Sequence, residues 1–328
     1  MTDRGIASLL VAGIIVALVA ACLLGSVSLP PSRMAAALIG QGETGDMLVV
    51  WQVRLPRALA ALAAGVALGI SGAALQGLLR NPLAEPGVLG VSAMSALFAT
   101  VALFYGLAAT VPFALPLAAI AGALSATAII AWAAPRTSSV VTLILVGVGI
   151  SSFSGAIMSL LMNLAPNPFT LADMVTWMMG SVANRSLEDL ALSGPFMAAG
   201  VAVLIAARRG LAALALGEEA AAGIGLNVAR QRLLVVLGAG LATGSAVALA
   251  GAIGFVGIVA PHLVRPWVGH DPARALIPSA LLAGLILVLA DIAVRVFPGD
   301  TELKLGVVAA LIGAPVFVMI AIRRGAAR

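Results

Sequence analysis

Charged side chains are scarce in this chain. Only 9% of its 328 residues are charged and 62% are hydrophobic, whereas ordinary soluble domains have about 25% charged and about 45–50% apolar residues. A soluble fold of this length could not cover its surface with so few charges. The composition therefore excludes a soluble globular protein and predicts a protein that lies largely within a membrane.

Residues with reactive or metal-binding chemistry are equally few. The one cysteine, Cys22, allows no internal disulfide. The two histidines, His262 and His270, are too few and too far from Cys22 in the sequence to predict a metal site. No pairing of a nucleophile with a base is apparent. We therefore expect no metal, no cofactor bound by this chain and no catalytic activity of its own.

Lysine is nearly absent, which excludes the usual nucleotide site. A P-loop ends in Gly-Lys-Ser/Thr, but the only lysine, Lys304, is followed by Leu305 and Gly306. If the chain takes part in an energy-driven process, ATP and Mg²⁺ must then be bound by a partner polypeptide, or the energy must come from an ion gradient. Ion coupling usually requires acidic or histidine side chains inside the membrane. The best candidate is Asp291, but Arg295 follows four residues later on the same helical face, which favours a structural ion pair.

Ten apolar segments predict an all-α, polytopic membrane protein with a single transmembrane domain over residues 1–328. A crossing helix needs about 20 apolar residues. The segments are 6–25, 55–79, 87–107, 112–134, 139–163, 190–207, 231–250, 252–268, 274–296 and 305–322. The eighth is the least regular because it is short and contains Pro261. We expect the first to be a transmembrane helix and not a cleaved signal peptide, although residues 19–22 resemble a lipoprotein cleavage box.

Ten crossings would put both termini on the same side of the membrane. With the N-terminus inside, twelve of the 18 basic residues fall in cytoplasmic loops and tails, and this excess predicts that both termini are cytoplasmic. The basic residues are scattered between apolar runs and not gathered on one face, so we expect membrane lipid and no nucleic acid as a partner. Polar residues 26–53 and 164–189 would form extracytoplasmic connections, the second with a short interfacial helix around Leu171–Met179.

The stretch from Arg54 to Gly90 is the most informative. Arg54 and Arg57 precede more than twenty residues without a formal charge, and this run stops at Arg80. The following Asn-Pro-Leu-Ala-Glu-Pro sequence predicts a structured turn, because each proline pushes the residue before it out of the helical region.

A second motif lies in residues 208–230. Glu218 and Glu219 open a predicted short helix. Acidic side chains stabilise a helix at its N-terminus, because the helix dipole is positive there. Gly223 and Gly225 would end it, because glycine readily adopts the left-handed conformation of a C-terminal cap. Such a helix in a loop between membrane spans could protrude and bind a soluble partner protein.

These segments resemble the permeases that import iron–siderophores, haem and cobalamin in ATP-binding-cassette (ABC) systems. Residues 54–90 resemble the second helix and the loop after it, and Glu219-Ala220-Ala221 with Gly225 resembles the Glu-Ala-Ala…Gly signature of importer permeases. Residues 254–262 and 305–317 resemble two later helices. The resemblance covers most of the chain, from about residue 54 to residue 317.

The resemblance implies an architecture and a set of partners. Two copies of the chain would form a homodimer in the bacterial inner membrane, with a path along the dimer axis. Two ABC ATPase subunits would bind on the cytoplasmic side, and a periplasmic substrate-binding protein would bind on the other. The chain itself would be a permease without catalytic activity.

The resemblance also implies roles for particular residues. The residues coupling the permease to the ATPase would be Gly217, Glu218, Glu219, Ala220, Ala221 and Gly225. The binding-protein contacts would be Arg54, Arg57 and Arg295, with anchoring at the membrane interface as the alternative. The cytoplasmic gate would include Asn81, Pro82, Leu83, Ser138 and Ser139.

One face of the fifth segment carries small polar and thioether side chains at spacings of three and four, which places them together on a helix. They are Ser151, Ser154, Gly155, Met158 and Met162. This face is either a wall of the transport path or a contact between helices, and both interpretations stay open. Gly65-x-x-x-Gly69 and Gly240-x-x-x-Gly244 predict close helix packing.

We expect haem as the cargo because the predicted path is weakly polar, with a ferric siderophore second and cobalamin third. Two other classes of protein compete with this interpretation. An ion-driven secondary transporter would be supported only by Asp291. A structural membrane scaffold would need neither gate loops nor outward-facing arginines.

Overall fold

The computed structural model describes residues 3–25, 29–111, 113–136, 140–297 and 302–325, and every regular element in these ranges is helical. The α-helices are α1 (Asp3–Leu23), α2 (Pro31–Leu38), α3 (Thr44–Leu48), α4 (Leu55–Leu78), α5 (Val91–Phe104), α6 (Leu107–Thr110), α7 (Ala114–Ala133), α8 (Val140–Asn163), α9 (Pro168–Met178), α10 (Leu187–Ala206), α11 (Arg208–Leu214), α12 (Glu218–Gly223), α13 (Val228–Ala250), α14 (Val256–Val264), α15 (Pro272–Val296) and α16 (Leu305–Gly325). A π-helical segment, Val49–Arg54, joins α3 to α4. Short 3₁₀ helices cover Pro86–Leu89, Ala134–Arg136 and Arg265–Val268.

The all-α prediction is confirmed, and seven helices of the described residues are long and apolar enough to cross a membrane. They are α1, the continuous helix Thr44–Leu78, α7, α8, α10, α13 and α15. Two of the predicted crossings are much shorter, because α5 has 14 residues and α14 has nine. The total of ten crossings therefore stays a prediction.

The second predicted crossing, 55–79, begins earlier than expected, inside the connection predicted over residues 26–53, whose extracytoplasmic location stays a prediction. The connection contains α2 and α3, and the helix of α4 extends back to Thr44 through the π-helical segment. The short helix predicted around Leu171–Met179 is confirmed as α9, and its location at the membrane interface stays a prediction.

Polar residues before the spanning helices satisfy backbone N–H groups that have no partner within the helix. The Asn227 side chain accepts from the Arg230 N–H at 2.9 Å before α13. Asp271 accepts from the Ala273 N–H at 2.8 Å before α15. Ser186 and Asp189 form a reciprocal capping box before α10. These caps fix where each helix begins.

The centre of the bundle is α4, which packs against α1, α10, α13, α14 and α15. Its glycines allow backbone-to-backbone contact. A Cβ atom at Gly65 would lie 2.6 Å from the Cα of Gly284 in α15, and one at Gly69 would lie 2.5 Å from the Ser279 carbonyl oxygen. A Cβ atom at Gly72 would overlap the Gly257 carbonyl oxygen of α14. Close packing through small residues at Gly65 and Gly69 is therefore confirmed.

Gly240 and Gly244 of α13 allow close packing against α7. A Cβ atom at Gly240 would overlap the side chain of Thr127, and one at Gly244 would overlap Ala123, both on α7. The prediction of close packing holds for this pair too.

Two loops turn back into the bundle, which explains the short helices. After α4 ends, the chain returns along it, so that the Ala84 carbonyl oxygen accepts from the Gln76 side chain and Glu85 lies beside Leu68. After α13 ends, residues 251–255 lead to α14, which starts beside the middle of α4 at Gly72. Non-helical backbone at this depth is tolerated only where protein surrounds it or a cavity is present.

We expect Gly72→Ala to destabilise the fold strongly, because the added methyl group overlaps backbone that cannot rotate away. Gly149→Ala in α8 is the matched control, since nothing lies within 4 Å of its Cβ position. Alanine raises intrinsic helix stability by about 1 kcal/mol in both cases. Thermal unfolding in detergent measures the difference. Equal melting temperatures for the two variants would contradict the packing argument.

Candidate functional site

The functional residues predicted from the sequence lie at the two ends of α4. We call the end of the bundle that contains Arg54 and Arg57 the Arg57 end. The opposite end, which contains α11 and α12, is the Glu219 end.

Two arginines, Arg57 and Arg295, and two acids, Asp291 and Glu302, form an ion cluster at the Arg57 end, beside Arg54. Asp291 of α15 is 1% exposed and lies at the centre of the cluster. Arg57 Nε donates to Asp291 Oδ1 at 2.8 Å, and Arg57 also pairs with Glu302, with its Nη1 donating at 3.1 Å. Arg295 Nε lies 3.1 Å from Asp291 Oδ2, an ion pair whose N–H is not aligned for a hydrogen bond. The cluster thus joins α4, α15 and the segment before α16.

Arg54 and Arg295 also contact the C-terminal end of α1. Arg54 Nη1 donates to the carbonyl oxygens of Cys22 and Leu23 at 2.7 and 2.9 Å. Arg295 Nη1 donates to the Ala21 carbonyl oxygen at 3.0 Å. The last carbonyl groups of a helix have no partners within it, so the two guanidinium groups satisfy them.

The structure therefore brings together Arg54, Arg57 and Arg295, the three predicted docking arginines. It places their side chains inside the protein and not on an open surface. Their role in docking stays a prediction. The structural ion pair expected between Asp291 and Arg295 is confirmed. Glu302 lies outside the spanning helices and is partly exposed, and the hydrogen bond from Arg57 lowers the pKa of its carboxyl below the usual range.

The two returning loops meet beside the middle of α4. Glu85 Oε2 accepts from the Phe255 backbone N–H at 3.4 Å. Phe255 has a φ of 66°, in the left-handed region, and its ring contacts Phe317 of α16 edge to face. A cavity of about 140 Å³ lies between the loops and contacts Leu68. An acidic side chain therefore connects the loop after α4 with the start of α14.

Gln76 of α4 connects the same elements nearer to the Glu219 end. Its Nε2 donates to the carbonyl oxygens of Ala84 at 3.2 Å and Gly257 at 3.4 Å. Its Oε1 accepts from Arg265 at 2.6 Å. One buried amide thus joins α4, the returning loop and both ends of α14.

The predicted gate residues Asn81, Pro82 and Leu83 lie at the Glu219 end, in the turn after α4. The Asn81 side chain accepts from the Leu83 N–H at 3.0 Å, which fixes the turn. Pro82 lines a cavity of about 260 Å³ together with Arg80 and Ala215, next to α12. Ser138 and Ser139, the other predicted gate residues, lie outside the described residues.

The predicted coupling segment forms α11 and α12 at the same end. Gly217 enters α12 at a φ of 109°, and Gly225 leaves it at 88°. Glu219 and Ala220 are exposed, whereas Ala221 is fully buried. Large apolar side chains flank the helix, with Leu216 71% and Ile224 70% exposed. This surface has the mixture of apolar and acidic groups that suits a protein partner.

The two adjacent glutamates of α12 have different environments. Both oxygens of Glu218 accept from Nη2 of Arg232, a buried residue of α13, at 2.6 Å. Glu219 is exposed to solvent. Glu218 therefore attaches α12 to the bundle, and Glu219 belongs to the outer surface.

The predicted path-lining face is divided between the two interpretations. Ser154 is fully buried and its hydroxyl lies 3.7 Å from the Met94 sulfur of α5, and Met158 is also buried. Ser151, Gly155 and Met162 stay partly exposed. Ser154 and Met158 contribute to helix packing in this subunit. A pathway role for the three partly exposed residues stays a prediction.

Sequence reasoning missed Gln76, Glu85, Arg232 and Glu302. Gln76 had a usable signal, because an amide within a long uncharged helix needs partners when it is buried. No local sequence pattern marks the other three, because the residues that they contact lie far away along the chain. Arg57 and Glu302 are 245 positions apart.

Comparisons with known proteins agree with one another. Residues 13–323 match the model of the FecCD transport family. The uncharacterized ABC transporter permease protein YvrB of Bacillus subtilis strain 168 is 40% identical over 291 residues, which are 87% of this chain and 82% of that protein. The vitamin B12 import system permease protein BtuC of Salmonella typhi is 41% identical over 280 residues, 84% of each chain.

A solved structure has the same fold along nearly the whole chain. It is an ABC transporter assigned to the metal-chelate type, in an inward-facing conformation. The TM-score is 0.87 at 30% sequence identity, and the alignment covers 98% of this chain and 99% of the other.

We expect Asp291→Asn to lower the stability of the permease by about 3 kcal/mol, because Arg57 and Arg295 would lose a buried counter-charge. Asp46→Asn is the matched control. Asp46 is itself largely buried, but it pairs with a single arginine, Arg33, whose side chain is half-exposed. The control therefore leaves one solvent-screened arginine without its partner, whereas Asp291→Asn leaves two buried ones. Chemical denaturation in detergent measures both changes. A loss at Asp291 no larger than at Asp46 would contradict the central role of this carboxylate.

We expect Glu218→Gln to increase hydrogen–deuterium exchange in residues 217–225, because α12 loses its charged contact with Arg232. Glu219→Gln should leave the exchange unchanged, since Glu219 is exposed. Mass-spectrometric exchange of the purified permease makes the comparison. Equal exchange in the two variants would show that the Glu218 contact does not hold α12.

Proposed function

Because the chain belongs to the FecCD transport family, we propose that two copies of it form the membrane path of an importer whose cargo is a cobalamin-like corrinoid. The chain is an ABC importer permease of the chelate and cobalamin type, and it is not itself an enzyme. Its family implies a separate ATPase subunit and a substrate-binding protein as partners. The observation that carries this function is the family match over residues 13–323.

The choice of cargo rests on the relatives. BtuC, at 41% identity, is named for vitamin B12 import, and the structural neighbour is assigned to metal chelates. None of the three relatives is named for haem, so the haem expectation has no support from them. A ferric chelate is the second candidate, favoured by the structural neighbour.

We propose that the Glu219 end faces the cytoplasm and that the Arg57 end faces outward. Two observations support this orientation. Basic residues are more frequent in the segments that would then be cytoplasmic, and α12 exposes an acidic and apolar surface that a cytoplasmic ATPase subunit could bind. Both termini are then cytoplasmic. Transported cargo enters near the ion cluster and leaves near the turn that contains Asn81.

Movement of the ATPase would reach the bundle through Glu218. An ATPase subunit bound to Glu219, Ile224 and Leu216 pushes on α12, and the Glu218–Arg232 ion pair transmits this push to α13. Helix α13 packs against α4, α7 and α10. A shift of α13 therefore changes the central packing and not only the loop.

At the Arg57 end, docking of the binding protein would exchange ion pairs. Glu302 is partly exposed and occupies one side of the Arg57 guanidinium group. A carboxylate of the binding protein can take the same position, because a guanidinium group binds carboxylates through two N–H groups. Docking would then release the segment before α16.

The alternative interpretation, an ion-driven secondary transporter, was supported only by Asp291. This residue has a structural role in the ion cluster. Asp291 is the buried counter-charge of Arg57 and Arg295. A carboxylate that neutralises two buried guanidinium groups has a structural role, so its place inside the membrane is no longer evidence for ion coupling.

The deciding experiment is uptake by the reconstituted complex of permease, ATPase and binding protein in liposomes. We expect ATP-dependent uptake of cobalamin that persists when a protonophore is added. Glu219→Arg should abolish uptake and weaken co-purification of the ATPase, because it places a cation in the docking surface. Glu188→Arg, an exposed acid at the opposite end, should leave co-purification unchanged when the binding protein is absent.

The other outcomes are equally informative. Uptake of haem or a ferric siderophore, but not cobalamin, would overturn the cargo and keep the importer. Uptake that stops with the protonophore while ATP is maintained would overturn the ABC mechanism.

A further inference from the structure

A cavity of about 410 Å³ lies at the Glu219 end, among the first residues of α1, α11 and α15. This volume is within the range of small-ligand sites, about 300–1,000 Å³. The cavity lies between α1, α11 and α15. Its α11 residues belong to the coupling segment, but among the described residues neither the predicted gate residues nor any residue of α12 lines it. Its lining residues include Arg4, Arg208, Arg209 and Arg274 with Asp3 and Asp271.

Both aspartates of the cavity already accept hydrogen bonds from other groups of the protein. Asp3 accepts from Arg274, with Nε at 2.9 Å from Oδ2. Asp271 caps α15 by accepting from the Ala273 N–H at 2.8 Å. Four arginines face two aspartates, so the rim has a formal excess of two positive charges.

Arg4 and Arg209 are the arginines available to a ligand. Both are exposed, and neither forms an ion pair with another of the described residues. They belong to α1 and α11, so they approach the cavity from separate helices. A phosphate group between them could accept hydrogen bonds from both guanidinium groups.

The floor of the cavity is apolar. Ala7, Ile277 and Pro278 line it. Ile277 is 40% exposed and lies five residues after the start of α15, which is roughly 7 Å along the helix axis. On α1, Leu9 is also exposed on the outer surface. The cavity therefore passes from a cationic rim to an exposed apolar surface.

We propose that this cavity binds the headgroup of an anionic phospholipid of the adjacent leaflet. The arginine rim complements the phosphate, and the apolar floor complements the first carbons of the acyl chains. Basic cavities between helices at a membrane surface are suited to anionic headgroups. A soluble phosphate would use only the rim, and an acidic protein surface would not use the floor. The lipid would join α1, α11 and α15 next to the coupling helix α12.

The test is native mass spectrometry of the delipidated, full-length permease with phosphatidylglycerol and, separately, with phosphatidylcholine of the same acyl chains. We expect a preference for phosphatidylglycerol. The double substitution Arg4→Gln/Arg209→Gln should reduce phosphatidylglycerol affinity by about 25-fold, at about fivefold for each arginine near a membrane surface. Phosphatidylcholine binding should not change.

Arg230→Gln is the matched control, because Arg230 is exposed at the same end but does not line the cavity. It should keep the affinity of the wild type. Melting temperatures in lipid-free detergent should be equal for all three proteins, which excludes misfolding as the cause of a loss.

Any of four results would overturn the proposal. The first is unchanged phosphatidylglycerol affinity in the double variant, and the second is an equal loss in Arg230→Gln. The third is displacement of the lipid by millimolar inorganic phosphate, which would identify a phosphate site. If the double variant loses the ATPase subunit but keeps the lipid, the arginines bind protein and the proposal is wrong.

Discussion

The close approach of α4 to its neighbours is the constraint on which the rest of the structure depends. Gly65 and Gly69 bring α4 into contact with the backbone of α15, and Gly72 does the same with α14. Lipid offers no hydrophobic force to hold helices together, so this contact depends on shape. Because α4 is the helix that joins the ion cluster to the turn at Asn81, its packing determines how the two ends of the molecule are placed.

Polar contacts that each include at least one buried group then join these helices at three levels. Asp291 holds Arg57 and Arg295 at one end, Gln76 holds the returning loop and α14 further down, and Glu218 holds α12 to Arg232 at the other end. Each buried group needs a specific partner in an apolar environment, because an unpaired one is costly. These contacts tie the positions of the helices at the two ends of the bundle to the packing of its centre.

Most of the fold was predictable, because a helix that crosses lipid needs a long apolar run. Seven of the ten segments form such helices. Apolar composition did not reveal that the segments at α5 and α14 begin inside the bundle, since a loop surrounded by protein is as apolar as a helix surrounded by lipid. The returning loops are stabilised by Gln76 and Glu85, whose partners are distant in sequence.

The sequence by itself determined the membrane location, the helical class, the family and the positions of the turn at Asn81 and of the helix at Glu218 and Glu219. These follow from local composition and short motifs. Only the tertiary structure decided which side chains are buried and which are displayed. Glu218 and Glu219 are identical and adjacent, yet one binds Arg232 and the other faces solvent. Arg57 is internal because Asp291 and Glu302 reach it. Burial depends on contacts between distant residues, which no local pattern records.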